Sequence, residues 1–314
     1  MGIFKKSTSY FPYTYPLFEE LRQQHENQHW VSREVDFSQD LLHWNTKLSK
    51  EERNVIESII SVFTQSDFQV ANMYLEGLLP KVKNNEVRGM LLSFASREFE
   101  HQLGYSMVGT TLGFPDSYWT EYLEFVETKA KDDFMASWNP EDNYGLRLAK
   151  NIVTEGESLN CNFAILRSFE LRGLMLGMAT VNDWSILDEN THTEGLIALF
   201  RTWAEENPKE INDAFKKKIY KLFRYVVNLE DNFIDFVMKD YKIDGINIED
   251  LKTYARLLAD RRSVAMGLKA NYQIKDNPLK WMDDLISSDT SSNFFEVRAT
   301  DYSIAGMTGK FLYN

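Results

Sequence analysis

The chain has one cysteine, Cys161, in 314 residues, and it is also poor in helix-breaking residues, with seven prolines and fifteen glycines. A single cysteine excludes an internal disulfide and favours a reducing compartment. No apolar run approaches the 18 or so residues of a membrane span, and the first ten residues lack the apolar stretch of a secretory signal. We therefore expect a cytoplasmic protein that does not bind membranes.

Basic residues are scarce relative to acidic ones. There are 35 of Lys and Arg against 47 of Asp and Glu, which gives a formal net charge of −12. Such a balance opposes binding to phosphate backbones, and no basic stripe interleaved with aromatic residues is present. The composition favours protein partners over nucleic acid.

Helical periodicity dominates the sequence, and alternating strand patterns are scarce. Apolar spacing and proline positions predict helices at about 17–29, 51–78, 84–113, 117–136, 143–172, 175–204, 208–240 and 247–271. No Pro/Gly/Ser-rich linker divides the chain, so we expect a single all-α domain over 1–314. Residues 1–16 should form an extended arm, and the segment from about 275 to 314 a mobile tail.

One pattern occurs twice within these helices. A carboxylate is followed, 31 residues later in one copy and 34 in the other, by a Glu-x-x-His motif. Such intervals suit a chain that ascends one helix and descends its neighbour to the same depth. The two sets are Asp67 with Glu98 and His101, and Glu155 with Glu189 and His192.

Spacing alone does not identify a site, because Glu26 with His29 and Asp40 with His43 have the same offset. Taken singly, such a pair is more often a solvated pair or a satisfied core histidine. The proposed residues differ from these pairs because all of them lie in apolar helical stripes. On the first such stripe, for example, Asp67 occupies a position where a core residue belongs.

Buried carboxylates need a compensating charge, since an unpaired one is costly or takes up a proton. Two divalent ions balance four carboxylates and two neutral imidazoles. Single carboxylates from two helices and a Glu-x-x-His from each of two others are the ligand set of dinuclear iron and manganese bundles. The pattern therefore predicts a dinuclear metal site in a helix bundle, and both metals suit these ligands.

Tyr105 follows Glu98 by seven residues and His101 by four, so it should face the same interior. An oxidised metal pair could take an electron from it. It could equally be a core tyrosine whose hydroxyl binds a ligand carboxylate. Spacing leaves both possibilities open.

Several longer motifs occur along the chain: HWVSREVDFSQD, TQSD, REFEHQLGY, TEGESLNCNFA, LDENTH and NFFEVRATDYS. Together they resemble the small, radical-generating subunit of class I ribonucleotide reductase over nearly the whole sequence. The two Glu-x-x-His motifs occur in many ferritin-like proteins. The tryptophan before EVD, the aspartate as first ligand, the tyrosine and NFFEVRATDYS are more specific.

The resemblance implies a ferritin-like bundle in which Asp67, Glu98, His101, Glu155, Glu189 and His192 bind two iron ions, with two manganese ions as the alternative. It implies that Tyr105 carries a stable radical and that Trp30 relays an electron or radical equivalent. Asp188 would hydrogen-bond Trp30 and His101 in that relay. Tyr313 would link the radical path to the partner.

The resemblance also implies three partners. These are a large catalytic subunit bound through the C-terminal tail, a second copy in a homodimer, and an activating flavoprotein. The function would be reduction of ribonucleotides to deoxyribonucleotides. Two alternatives stay open: a ferritin-like oxidase or oxygenase acting directly on a small substrate, and a metal-storage or ferroxidase protein.

Two positions depart from the family's usual pattern. Glu100 lies between the first Glu-x-x-His ligands, where an apolar residue is common, and we expect it to face solvent or form a salt bridge. Ser185 lies one turn before Glu189, where an aliphatic residue is usual. A more polar pocket there would shorten the lifetime of a radical on Tyr105, which Leu159 and Phe163 should otherwise shield.

Overall fold

The computed structural model describes residues 2–241 and 246–283, and in these residues the chain forms α-helices and no β-strand. The predicted all-α class is confirmed. The α-helices are α1 (Pro16–Asn27), α2 (Ser38–Thr46), α3 (Lys50–Asn72), α4 (Asn85–Leu112), α5 (Tyr118–Glu121), α6 (Val126–Ala136), α7 (Tyr144–Val153), α8 (Asn160–Glu170), α9 (Leu176–Glu206), α10 (Asp213–Met238) and α11 (Ile248–Ala265).

Helices α3, α4, α10 and α11 begin after side chains that accept hydrogen bonds from the first turn. Ser49 and Glu52 form a reciprocal capping box at the start of α3. Asn84 caps α4, which ends at Gly113 with φ +83°, a left-handed conformation that glycine adopts without strain. These signals explain why α3 and α4 start within a residue of the predicted positions.

Two expanded π-helical turns interrupt the ligand-bearing helices. One, Met73–Leu78, continues α3, and the other, Thr154–Ser158, joins α7 to α8. Both predicted helices, 51–78 and 143–172, are therefore continuous rods with a widened turn. Turns of this kind are rare in helices and often occur at functional sites.

Other predicted boundaries were wrong. The expected helix 117–136 is broken, because Phe125 adopts an extended conformation between a 3₁₀ turn and α6. Helix α10 starts after Pro208, at the Asn212 cap. Helix α11 stops at Ala265, and Gly267, with φ +84°, follows two residues later. Helix α2 was not predicted.

Helices α4 and α9 pack closely against each other at positions that flank their Glu-x-x-His motifs. Gly104 and Gly195 each follow a motif histidine by three residues. A Cβ on Gly104 would lie 2.8 Å from Val181, and one on Gly195 would lie 2.6 Å from Phe94. Glycine at both positions lets the two backbones approach, which brings the motifs together.

Helices α1 to α11 lie in one compact unit that ends at Leu279. The prediction of one domain over 1–314 extends beyond the described residues and stays a prediction. Tyr313 and most of the predicted tail also lie outside them. Within the described part, no helix combines the length and apolarity that a membrane crossing requires.

Candidate metal centre

The structure brings all six predicted ligands together inside the bundle. Helix α3 contributes Asp67, the turn between α7 and α8 contributes Glu155, and α4 and α9 each contribute one Glu-x-x-His pair. All six side chains are buried. They form two overlapping groups of potential ligand atoms within 4.8 Å of one another: Asp67, Glu98 and His101, and Glu98, Glu155, Glu189 and His192.

Glu98 and Glu189 each face both histidines. Glu98 places Oε2 3.2 Å from Nδ1 of His101 and Oε1 3.1 Å from Nδ1 of His192. Glu189 places Oε1 3.3 Å from Nδ1 of His101 and Oε2 3.5 Å from Nδ1 of His192. Because each of these carboxylates lies near both imidazoles, Glu98 and Glu189 would help to hold a pair of ions.

The donor set fits a pair of cations. Many of its atoms have no hydrogen-bond partner among the described residues: Asp67 Oδ2, Glu155 Oε1, His192 Nδ1 and both carboxylate oxygens of Glu98 and Glu189. Buried polar atoms are rarely left in this state. Oxygen and imidazole donors of this kind are those that iron and manganese prefer.

The electrostatics of the cluster also favour a pair of bound cations. Burial raises the pKa of Asp67 well above its usual range and that of Glu155 to about 8. Burial would lower the pKa of His192, but the nearby carboxylates of Glu155 and Glu189 outweigh it and raise that pKa. Without cations, the centre must therefore take up protons to offset its carboxylates.

Asp188 joins Trp30 to His101. Its Oδ2 accepts a 2.7 Å hydrogen bond from the indole nitrogen of Trp30 and lies 3.1 Å from Nε2 of His101. The two rings are nearly parallel, with centroids 5.8 Å apart. Arg97 donates to the carbonyl of Trp30 and lies 3.4 Å from the same Asp188 oxygen.

Tyr105 is buried, and no hydrogen bond of acceptable geometry reaches its hydroxyl from the described residues. Burial raises its pKa well above the usual value, and the charge of Asp67 adds to the rise, while the Ser185 hydroxyl works against it. Phe63 stacks on its ring at 4.7 Å and on Phe163 at 4.8 Å. Phe163 is thus one ring removed from the tyrosine.

Two side chains at the centre were not singled out by the sequence. Tyr74 donates a hydrogen bond to Glu155, and His25 lies beside His192. Tyr74 follows Asp67 by seven residues, the interval that separates Tyr105 from Glu98. That repetition is the signal that could have identified it.

The two competing motif pairs have other roles. Asp40 accepts hydrogen bonds from the backbone nitrogens of Gly177 and Met178, and His43 accepts one from Met175, so this pair caps α9. Glu26 is exposed and accepts a hydrogen bond from Ser93. Neither pair belongs to the cluster.

Glu100 does not belong to the cluster either. Its Oε2 accepts hydrogen bonds from the backbone nitrogen and the hydroxyl of Ser32. The side chain is half-buried, so the expectation of a solvent-facing or salt-bridged carboxylate was wrong in detail. Glu100 instead fastens the segment that carries Trp30 to α4.

In a comparison with known protein families, residues 7–278 match the family described as "Ribonucleotide reductase, small chain". The chain belongs to that family. The probable ribonucleoside-diphosphate reductase small subunit of Invertebrate iridescent virus 6 is 34% identical, with 98% of this chain and 97% of that protein covered. The predicted resemblance is confirmed.

Solved structures of ribonucleotide reductase subunits have the same fold. Dimanganese(II)-NrdF from Streptococcus sanguinis superposes with a TM-score of 0.79 at 15% identity, covering 90% of this chain and 99% of that one. The Rnr4 homodimer subunit from Saccharomyces cerevisiae gives 0.76 at 22% identity, covering 96% and 92%. The ferritin-like prediction is confirmed, and neither the site nor these matches favours the oxidase or storage alternatives.

Proposed function

We propose that this chain is the radical-generating small subunit of a ribonucleoside-diphosphate reductase, and that Tyr105 is the residue that stores the radical. The observation that carries the proposal is the convergence of both carboxylate and Glu-x-x-His sets on one buried centre, one helical turn from Tyr105. When two iron ions are bound and oxidised, they would supply the oxidising equivalent that removes one electron from the phenol.

The aromatic surroundings of Tyr105 suit a long-lived radical, whereas the Ser185 hydroxyl makes the pocket more polar and would shorten the lifetime. The Phe63 ring covers one side of the phenol, Phe163 lies behind it, and Leu159 is also buried. These apolar groups exclude water and reductants. Because burial disfavours a phenolate, Tyr105 would lose its proton together with its electron, and the Asp67 carboxylate is the charge that acts most strongly on it.

Trp30, Asp188 and His101 would form the path along which an electron leaves or reaches the centre. Asp188 would accept the indole proton of Trp30 across the 2.7 Å hydrogen bond when Trp30 is oxidised. Trp184 adjoins Trp30 with ring centroids 5.2 Å apart and is half-buried. It offers an aromatic step between Trp30 and the outside of the bundle.

A second copy of the chain is a further proposed partner. Four large apolar side chains on α4 and on α3 with the π-helical turn that continues it are 40–55% exposed, at seven-residue intervals within each pair: Phe68, Leu75, Leu92 and Phe99. An exposed apolar face of this kind is typical of an interface. The yeast structure of similar fold is described as a homodimer, which supports the same assembly here.

The other partners come from the family resemblance. The large catalytic subunit would bind the C-terminal segment, with Tyr313 as the link in the radical path, and the cytoplasm would be the compartment. Two manganese ions are the alternative to iron, since a similarly folded protein is described as dimanganese. A reduced flavoprotein would then react with oxygen to supply the oxidant.

Reconstitution tests the proposal. Apoprotein is loaded with Fe(II) and exposed to oxygen, or loaded with Mn(II) and exposed to oxygen with and without a reduced flavoprotein, and metal content and the EPR spectrum are measured. We expect two ions per chain, a tyrosyl signal, and nucleotide reduction only after addition of a large subunit. Oxidation of a small substrate without that subunit would favour the oxidase alternative, and absence of the tyrosyl signal with both metals would overturn the proposal.

A further inference from the structure

His25, on α1, contacts the ligand His192 on the side away from the carboxylates. The two Nε2 atoms are 3.1 Å apart, and the ring centroids are 4.9 Å apart. His25 is 1% exposed and packs edge-on against Phe94. It lies on the buried face of α1 with Phe18 and Leu21, where a histidine would pass for an ordinary core residue.

The hydrogen bonds from this contact run in one direction. With Nδ1 of His192 turned toward the carboxylates and a cation, its Nε2 carries the hydrogen and donates it to Nε2 of His25. His25 therefore carries its own hydrogen on Nδ1, which lies 2.8 Å from the Ser93 hydroxyl. Ser93 in turn donates a 2.8 Å hydrogen bond to Oε1 of Glu26.

The result is a chain of four groups from a buried ligand to an exposed carboxylate. In each hydrogen bond of this chain one group donates and the next accepts. Because the carboxylate of Glu26 can only accept, it fixes the direction of all three hydrogen bonds. Only the neutral form of His25, with its hydrogen on Nδ1, fits this order. Its tautomer is determined by Ser93 and Glu26.

The two ligand histidines are therefore supported differently. His101 has the carboxylate of Asp188 behind it, whose negative charge raises the basicity of the imidazole. His192 has a neutral imidazole, which orients the ring without adding charge. Nε2 of His25 also lies 3.6 Å from Oδ1 of Asp188, so the two supports are adjacent.

We propose that His25, oriented by Ser93 and Glu26, is a positioning residue that holds the ring of His192 and so sets the affinity of one of the two metal positions. The inference rests on the proposed function, because it assumes that His192 binds a metal. It assigns a role to α1, which contributes no ligand itself. Removal of hydrogen-bonded groups that orient a metal ligand typically weakens metal binding by about 10–100-fold.

Stepwise Mn(II) binding to the full-length apoprotein, followed by calorimetry and by the EPR signal of free Mn(II), tests the proposal. We expect His25→Leu to weaken one of the two ions about 10–100-fold and to leave the other nearly unchanged. His25→Gln keeps an acceptor for His192 and a donor for Ser93, and it should restore most of the affinity. His29→Leu, at an exposed histidine near the same helix end, is the matched control.

A comparison with Asp188→Asn shows which of the two metal positions depends on His25. Asp188→Asn should weaken the ion served by His101, so the double variant with His25→Leu should weaken both. If wild-type apoprotein binds no pair of ions, the proposed function itself fails. If it binds two and His25→Leu binds them equally well, or if His25→Gln is as weak as His25→Leu, the positioning role is overturned.

Discussion

The hydroxyl of Tyr74 donates a 2.6 Å hydrogen bond to Oε2 of Glu155, and both side chains are fully buried. The centre therefore contains two buried tyrosines, each seven residues after a ligand carboxylate. Tyr74 is the one bonded to a carboxylate. The alternative that spacing left open for Tyr105, a core tyrosine bound to a ligand, thus describes Tyr74.

Tyr105→Phe should abolish the tyrosyl EPR signal and turnover while leaving two metal ions per chain. The hydroxyl has no hydrogen bond of acceptable geometry among the described residues, so its loss leaves packing intact. We expect the free energy of unfolding to change by less than about 1 kcal/mol. Full activity in this variant would rule out storage of the radical on Tyr105.

Tyr74→Phe should weaken metal binding and keep the tyrosyl signal, which is the opposite of the result expected for Tyr105→Phe. It removes a hydrogen bond to a buried carboxylate, and such bonds to charged groups contribute about 1.5–3 kcal/mol. We expect the tyrosyl signal per bound metal pair to persist and the affinity for one metal ion to fall about tenfold or more. Titration with Mn(II) measures the metal affinity, with Tyr105→Phe as the matched variant. Unchanged affinity in Tyr74→Phe would contradict the prediction.

Asp188→Asn should slow nucleotide reduction more than it reduces the radical yield. An asparagine can still accept a hydrogen bond, but it cannot take the indole proton of Trp30 or offset the charge of Arg97. Turnover with the large subunit, divided by the tyrosyl content, should fall at least tenfold. Asp133→Asn, at an exposed ion pair with Lys129, is the control and should leave both quantities unchanged.

Metal removal should make stability depend on pH. In the apoprotein, burial raises the pKa of Glu155 from 4.5 to about 8, so the folded state binds more protons than the unfolded state between those values. The free energy of unfolding should therefore fall as pH rises from about 4.5 to 8. Urea titrations should give a steeper fall for apoprotein than for loaded protein, and Glu155→Gln should flatten it.

Phe99→Asp should convert the proposed homodimer into a monomer. The side chain is 55% exposed in the single chain, and a carboxylate there would be desolvated in an interface. Light scattering after size exclusion should give about half the wild-type mass. Leu171→Asp, at a comparably exposed leucine outside this face, should remain dimeric; dissociation of both variants would argue against a specific interface.

Much of the centre could be predicted because a buried carboxylate is anomalous. Asp67 occupies an apolar stripe of α3, where only a cation or a proton can compensate for it, and that anomaly separated it from Asp40. Asp40 has the same offset to a histidine but accepts backbone hydrogen bonds at the start of α9. The sequence pattern alone thus distinguished the metal ligands from a residue that caps a helix.

The neighbours of the ligands could not be predicted in the same way. A tyrosine or histidine in an apolar stripe is ordinary, so Tyr74 and His25 gave no comparable signal. Their roles depend on which helices meet, and α1 and α9 are far apart in sequence. The break at Phe125 was missed for a related reason, because neither proline nor glycine marks it.

The Tyr74 and Glu155 bond joins the two π-helical turns, since each residue lies within one of them. In an ideal α-helix each residue advances by about 100°, so deletion of one residue from either turn would rotate everything beyond it by that angle. A de novo scaffold assembled from straight, idealised rods would therefore present the same ligands and lose this contact. Transplanting the centre requires copying the two irregular turns along with the side chains.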